Sequence, residues 1–439
     1  YVEMTGNTSS RNAGHDSVVG SAGFSGNIFY GNPGVYEDAR GVLNPNGIGN
    51  ASEMIAGTNS QTGADTVAGV GGDTINGLGG NDTLWGDGGN DSLQGGDGND
   101  FIHGGAGNDV LLDSQGNDFL FGDAGNDIIN AGDGIDQAFG GAGNDTIYGG
   151  NGADALTGNE GDDVVFGDSG AALNNPNILL TLSNGLTVSN STYLNVTRNG
   201  NHINSVIITP TVKVTGNMDT LGDADVVSGN DGNDTLFGGG GADLVDGGFG
   251  NDVLFGGLGN NALIGWYGDD VFVMDPSSTG FNNAIDGGMG FDVVDYSSAG
   301  QINGINGPIQ GININLAVGG AAVIPVGVNV PDSFLSIEGA IGSLGNDTIV
   351  GGAAVVTDAA GAPVLDALGN QIPIDFWLWG NNGNDIITGD AGNDHLSGGA
   401  GNDTIDGGAG IDILDFSDSS DRKSTRLNSS HVKRSSYAV

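Results

Sequence analysis

Hydrophobic residues recur every nine residues in the first half of the chain, with polar residues and Gly at the positions between them. From Gly77 to Leu112 the sequence reads GLGGNDTLW, GDGGNDSLQ, GGDGNDFIH and GGAGNDVLL, and the eighth place of each phrase is aliphatic. This period produces no apolar stripe at the helical spacing of roughly 3.6 residues, so the pattern excludes an α-helix. The residues around each aliphatic position have the alternation of a short β-strand, with the aliphatic side chain inside and its neighbours outside.

A Gly at the fourth place of every phrase predicts a tight turn before each strand. Gly removes helix propensity and permits positive φ, which such turns need. Two strands and two turns close a coil of eighteen residues, and coils stacked about 4.8 Å apart form a parallel β-helix. We expect two thin internal ladders of aliphatic side chains, formed by Ile75, Leu84, Leu93, Ile102, Leu111 and Leu120.

An Asp stands at the sixth place of each phrase, in three arrays. The first array holds Asp73, Asp82, Asp91, Asp100, Asp109, Asp118, Asp127, Asp136, Asp145, Asp154 and Asp163; the second holds Asp225, Asp234, Asp243, Asp252 and Asp270; the third holds Asp385, Asp394, Asp403 and Asp412. Carboxylates of units two apart would stack on one edge and repel each other unless neutralised. Ca²⁺ takes about 6 to 8 oxygen ligands, such as carboxylates and Gly carbonyls. All of these Asp residues are therefore predicted metal ligands, with a weaker site where Asn261 replaces Asp.

The phrase G-G-x-G-N-D-x-U-x, in which U is aliphatic, resembles the repeats-in-toxin (RTX), or haemolysin-type, calcium-binding nonapeptide. The resemblance covers most of the chain and implies an all-β fold: a right-handed parallel β-helix, or calcium β-roll, with irregular β inserts. It also implies multiple bound Ca²⁺ ions, export from a Gram-negative bacterium by type I secretion, and folding outside the cell. We therefore expect calcium binding by an extracellular structural segment of a secreted or cell-surface protein.

The composition favours a fold that depends on cations. The 439 residues include 88 Gly, 54 acidic and 9 basic residues and no Cys, for a net charge of −45. Such a charge excludes nucleic acid and acidic membrane surfaces as default partners. Disulfides are impossible, and a core one side chain wide buries little apolar surface, which leaves metal as the stabiliser. No apolar run approaches the roughly 18 residues of a membrane helix, so no membrane span is expected. A disordered Gly/Asp-rich spacer is the alternative, expected only without calcium, because a spacer needs no aliphatic residue in strict register.

The repeat pattern predicts seven segments along the chain. They are a degenerate N-terminal cap or linker (1–59), a first RTX array (60–170), a β-hairpin insert (171–217), a second array (218–297), an irregular β linker with one isolated repeat (298–379), a third array (380–417) and a basic tail (418–439). The tail contains DRKSTRLNSSH, the translation of a common sequencing-adapter oligonucleotide in one frame. We interpret the tail as non-native, with a short natural basic tail as the alternative. The chain opens at Tyr1 rather than Met, and we expect it to be a fragment.

No catalytic motif stands out. The sequence contains no H-E-x-x-H and no G-x-S-x-G, so no catalytic residue or organic cofactor is predicted, and we expect no enzyme activity from this chain. His103 and His395 occupy outward strand positions, where solvation is expected. Trp85 and Tyr148 also point outward, where they would contact a surface glycan or protein target, although isolated exposed aromatic residues usually have no role. The alternative function is the C-terminal RTX part of a secreted metalloprotease, lipase or alginate epimerase whose catalytic domain lies outside this sequence.

Overall fold

The computed structural model describes residues 72–168, 224–274, 283–297, 311–316, 332–352 and 369–415, together with the backbone of short strands elsewhere. The described elements are all β-strands, without a helix among them. Within this part of the chain, no helix has the length and apolarity that a membrane span would need. Of the predicted cap, hairpin insert and basic tail, the structure describes only the backbone of short strands. The chain divides into two compact units, Tyr1–Asn190 with Val212–Gly240 and Ser191–Thr211 with Gly241–Val439.

The first unit is a parallel β-solenoid whose coil takes two nine-residue phrases. Leu84 pairs with Ile102 on one sheet, and Ile75 pairs with Leu93 on the other. The strands of the first sheet in this unit are Ile28–Tyr30, Thr66–Ala68, Thr83–Trp85, Phe101–Ala106, Phe119–Ala124, Gln137–Ala142, Ala155–Glu160 and Val226–Asp231. The strands of the second sheet in this unit are Ser17–Val19, Met54–Ala56, Thr74–Gly79, Ser92–Asp97, Val110–Leu112, Gln115–Gly116, Ile128–Gly134, Thr146–Asn151, Val164–Asp168 and Thr235–Phe237. The parallel β-helix predicted from the repeat is confirmed.

The interior of this unit holds one column of aliphatic side chains per sheet. Ile75, Leu93 and Leu111 face one another in register along one sheet. Leu84, Ile102 and Leu120 do so along the other. All six are at most 1% exposed, so each contributes about 1.5 to 3 kcal/mol of burial free energy. The two predicted ladders are confirmed, and the core is one side chain wide on each sheet.

The Gly at the fourth place of the unit is required for two reasons at most turns, as Gly107 illustrates. Its φ is +142°, a backbone conformation that L side chains rarely adopt. A Cβ at this position would also collide with the carbonyl oxygen of Gly89 in the preceding coil. Stacked coils therefore approach too closely at this turn for any other residue.

The first unit resumes in register after the segment 169–223. Ala155–Glu160 pairs in parallel with Val226–Asp231, and Val164–Asp168 pairs in parallel with Thr235–Phe237. The coil after the insertion therefore stacks directly on the coil before it. An insertion at this turn leaves the column of side chains continuous.

The second unit is built from the same kind of parallel strands. The strands of its longest sheet are Val253–Phe255, Val271–Val273, Val293–Asp295, Gly339–Ile341, Trp377–Trp379, His395–Ser397, Ile413–Asp415 and Val432–Arg434. A second group of parallel strands is Leu244–Phe249, Ala262–Tyr267, Ala284–Asp286 and Asp332–Leu335. A third group is Asn313–Asn315, Thr348–Gly352, Ile386–Asp390, Thr404–Asp406 and Ser424–Arg426. Leu194–Asn199 and His202–Ile208 form an antiparallel pair. The predicted irregular linker therefore contributes regular coil strands, since Gly339–Ile341 and Thr348–Gly352 lie within it.

Candidate metal site

Two columns of buried Asp side chains run along the turns of the first unit. The backbone N–H of Asp91 donates to Oδ1 of Asp109 at 2.7 Å, and the N–H of Asp109 donates to Oδ1 of Asp127 at 2.7 Å. In the other column, the N–H of Asp82 donates to Oδ1 of Asp100 at 2.7 Å. Each of these accepting carboxylates therefore binds the backbone of the preceding coil through Oδ1, and Oδ2 takes no part in that hydrogen bond.

The second carboxylate oxygen, Oδ2, is buried along both columns. Within the described coils it has no hydrogen-bond partner at Asp91, Asp100, Asp109, Asp118, Asp127, Asp136, Asp145 and Asp163. A Cβ placed on Gly104 would lie 2.5 Å from Oδ2 of Asp109 and 2.8 Å from the carbonyl oxygen of Gly122. At each such turn, a carboxylate oxygen and a carbonyl oxygen of the next coil thus converge on a space beside a Gly.

This donor set fits Ca²⁺. The converging atoms are carboxylate and carbonyl oxygens, which are the hard ligands that Ca²⁺ prefers. A buried anionic oxygen without a partner is costly, and a bound cation would remove that cost. The Asp residues together with carbonyls such as that of Gly122 would hold the ion, and the ion would supply the neutralising charge.

Burial raises the pKa of the ladder carboxyls, because the ionised form loses its water. The pKa rises from 3.8 to about 7 at Asp91, Asp118 and Asp127, and to about 8 at Asp234. Neighbouring carboxylates raise it further, whereas the backbone N–H donors lower it. The ladder therefore resists full ionisation at neutral pH unless a cation shares the site.

The structure brings all of the predicted ligands into ladders of this kind. After the insertion, the N–H of Asp154 donates to Oδ1 of Asp225 at 2.8 Å, so the ladder continues with the solenoid. In the second unit, the N–H of Asp252 donates to Oδ1 of Asp270 at 2.8 Å. Asn261 accepts from the N–H of Asp243 at 2.9 Å. Asn261 thus keeps the hydrogen bond but not the charge, which is the basis of the weaker site predicted there. That these residues bind calcium stays a prediction.

Sequence reasoning missed several ladder members. Asp292 and Asp347 are buried and accept from the N–H groups of Asp270 and Ile312, at 2.9 and 2.7 Å. Both have Gly two residues before and an aliphatic residue two residues after, so the repeat phrase was enough to identify them. Asp332 accepts from Asn283 at 2.8 Å across 49 residues. It lacks the phrase, so only the structure places it in the ladder.

The outward aromatic side chains stack on one another along the sheets. Tyr148 stacks on Phe166 with ring centroids 4.8 Å apart and is only 5% exposed. The expectation that Tyr148 is available to a partner is therefore wrong, because equivalent rings of successive coils cover each other. His103 stacks on Trp85 at 4.3 Å, and its Nδ1 lies 2.7 Å from Oδ2 of Asp123. His103 is thus held by neighbours rather than simply solvated.

A comparison with known families agrees with the geometry. The family model of the RTX calcium-binding nonapeptide repeat, in four copies, matches residues 67–102, 103–138, 139–171, 219–254, 246–273, 340–354 and 379–414. A search of the curated proteins finds no match. The matched ranges contain every predicted Asp ligand, and repeats of this type are calcium-binding structural units rather than a catalytic fold. The chain therefore belongs to the family of proteins built from RTX calcium-binding nonapeptide repeats, and its coils form an RTX β-roll.

Proposed function

We propose that this chain is a structural segment that folds when Ca²⁺ enters its Asp ladders, and that it acts outside the cell as part of a secreted or cell-surface protein. The observation that carries the proposal is the row of buried Oδ2 atoms without hydrogen-bond partners in the described coils of the first unit. Such a row is unfavourable on its own and favourable around cations.

The cation that the ladders require must come from solution. The sequence has no Lys or Arg between Arg40 and Arg198, nor between Lys213 and Arg422. The coils within the described ranges 72–168 and 224–415, the second of which has gaps, therefore contain no Lys or Arg that could neutralise the buried carboxylates. A divalent metal ion with oxygen ligands fills this role.

Calcium concentration would then control whether the chain is folded. Extracellular calcium modules bind with dissociation constants of about 10⁻⁴ to 10⁻³ M, so each site contributes about 1 to 2 kcal/mol at several millimolar Ca²⁺. At the far lower calcium concentration of a cytosol, each site contributes almost nothing. Summed over an array, the difference is about the whole stability of a domain. Such a chain stays unfolded during export and folds after it.

The experiment is a calcium titration of the full chain followed by far-UV circular dichroism, with Mg²⁺ as the control ion. We expect a cooperative gain of β-structure near millimolar Ca²⁺ and none with Mg²⁺, because Mg²⁺ demands a tight octahedral shell and gives up its water reluctantly. A spectrum that does not respond to Ca²⁺ would refute the proposal. An equal response to Mg²⁺ would leave a cation-dependent fold but refute the calcium switch.

A further inference from the structure

Asp113 stands at a place of the repeat where neighbouring units have Gly. It is the first residue of its unit, equivalent to Gly95, Gly104 and Gly122. The strand is interrupted there, because Val110–Leu112 ends before Asp113 and Gln115–Gly116 begins after it. An acidic side chain is thus introduced into a turn that elsewhere carries none at this place.

The side chain of Asp113 folds into the turn instead of pointing to solvent. Asp113 is 6% exposed. Its Oδ1 accepts from the N–H of Gly96 at 2.9 Å and from the N–H of Ser114 at 2.7 Å. Its Oδ2 is buried and has no hydrogen-bond partner among the described residues. The backbone bonds therefore aim a charged oxygen inward, where no protein group accepts or donates to it.

Oδ2 of Asp113 takes the place that a backbone carbonyl oxygen has in the other coils. Beside Gly77, a Cβ would meet Oδ2 of Asp82 at 2.5 Å and the carbonyl oxygen of Gly95 at 2.7 Å. Beside Gly95, the two nearest oxygens are instead Oδ2 of Asp100, at 2.5 Å, and Oδ2 of Asp113, which is closer still. The chain therefore exchanges one neutral ligand of the ordinary site for an anionic one.

A third carboxylate completes this cluster. Oxygens of Asp100, Asp113 and Asp118 lie within 4.8 Å of one another, and all three residues are buried. Burial, followed by the charges of Asp118 and Asp100, holds the pKa of Asp113 well above its ordinary value. Three ionised carboxylates at this separation repel one another strongly, and a bound cation would remove that repulsion.

We propose that Asp100, Asp113 and Asp118 form a distinct calcium site in the first unit that binds Ca²⁺ more tightly than the ordinary repeat sites. The reason is ligand charge, since carboxylate count and rigidity set the affinity of oxygen-ligand calcium sites over several orders of magnitude. Two backbone N–H groups donate to Oδ1 of Asp113 and hold its side chain in place, so little ordering is needed on binding. This inference rests on the proposed calcium function, and it adds an unequal affinity among the sites. The tight site would fill first and so fix one coil while the remaining sites are still empty.

The test is the removal of Ca²⁺ from the loaded full chain by titration with EGTA. In the wild-type protein we expect one Ca²⁺ ion to stay bound until the free calcium concentration is about ten- to a hundredfold lower than the concentration at which the other ions leave. Asp113→Gly restores the residue of the neighbouring units, and Asp113→Asn removes the charge with little change of shape. Both variants should lose the retained ion while keeping the others. Asp97→Asn is the matched control, because it removes one charge from an exposed side chain near the same turn, and it should keep the retained ion.

The outcomes separate this inference from the proposed function. A wild-type protein whose ions all leave together, or an Asp113→Asn variant that still retains one ion, would overturn the tight site while leaving the calcium-dependent fold intact. The second result would mean that the charge of Asp113 is not needed to hold the retained ion. A wild-type protein that takes up no Ca²⁺ would overturn both. Circular dichroism of each variant at saturating Ca²⁺ shows whether the solenoid has formed.

Discussion

The two oxygens of a ladder Asp have different roles, and substitution of Asp109 separates them. Oδ1 of Asp109 accepts from the buried N–H of Asp91 at 2.7 Å, and Oδ2 lies beside Gly104 in the proposed calcium site. Asp109→Asn keeps the acceptor and removes the charge, as Asn261 does naturally when it accepts from Asp243. Asp109→Ala removes both. The pair of variants therefore measures ligation and hydrogen bonding separately.

The expected losses follow from these two contributions. Loss of one calcium site at about 5 mM Ca²⁺ costs about 1 to 2 kcal/mol, and the unsatisfied N–H of Asp91 costs about 1 to 3 kcal/mol more. For a unit of about 150 to 250 residues, 1 kcal/mol lowers Tm by about 2 to 4 °C. We therefore expect Asp109→Asn to lower Tm by about 2 to 8 °C in calcium, and Asp109→Ala by about 2 to 12 °C more.

The assay is thermal unfolding followed by circular dichroism across a calcium series, with Asp97→Asn as an exposed control of equal charge change. The loss in Asp109→Asn should grow with calcium concentration, because its origin is a missing ligand. The extra loss in Asp109→Ala should be the same at every calcium concentration that supports folding. If Asp109→Asn matches the wild-type protein throughout the series, Asp109 is not a ligand. If the two variants are equally unstable, the hydrogen bond to Asp91 contributes nothing.

Three further predictions concern the core, the turn and protons. Leu111 is fully buried, so Leu111→Ala should cost about 2 to 5 kcal/mol at saturating Ca²⁺, measured by thermal unfolding; an unchanged Tm would mean that the aliphatic ladder does not hold the coils. Gly107→Ala should prevent the calcium-induced gain of β-structure, because a Cβ there collides with Gly89. Gly88→Ala should be tolerated, since its Cβ would have only one atom within 4 Å, at 3.9 Å. Equal circular dichroism titrations of the two variants would refute this explanation of the turn. Burial raises the folded-state pKa of Asp127 from 3.8 to about 7, so protonation of this carboxyl stabilises the ion-free fold. The stabilisation is complete below a pH of about 4 and is lost as the pH rises through about 7. The calcium midpoint of folding measured by circular dichroism should therefore fall as pH falls from 8 to 6, because protons already stabilise part of the fold. A midpoint independent of pH would contradict the burial of these carboxyls.

The repeat sequence alone determined the coil, its core and the two Asp columns. A nine-residue phrase places Gly, Asp and an aliphatic residue at fixed positions. The Gly permits positive φ, the Asp supplies an oxygen ligand on a short side chain, and the aliphatic residue points inward. The pairing of Leu84 with Ile102 follows, because parallel strands of equal phrases stack in only one favourable register. Local periodicity is sufficient here because every coil touches mainly the coils beside it.

The tertiary structure decided what depends on contacts between coils. Tyr148 is buried because the ring of Phe166 in the next coil stacks on it, which no single phrase reveals. Asp332 joins the ladder through a partner 49 residues away, and Val226–Asp231 resumes the first sheet directly after Ala155–Glu160 despite the segment between them. In the sequence, Asp113 is only a departure from the Gly of the repeat. The stacking of its coil against Gly95 places its carboxylate close to those of Asp100 and Asp118. The sequence determined which residues each turn carries, whereas only the stacking of coils determined which charges share one space.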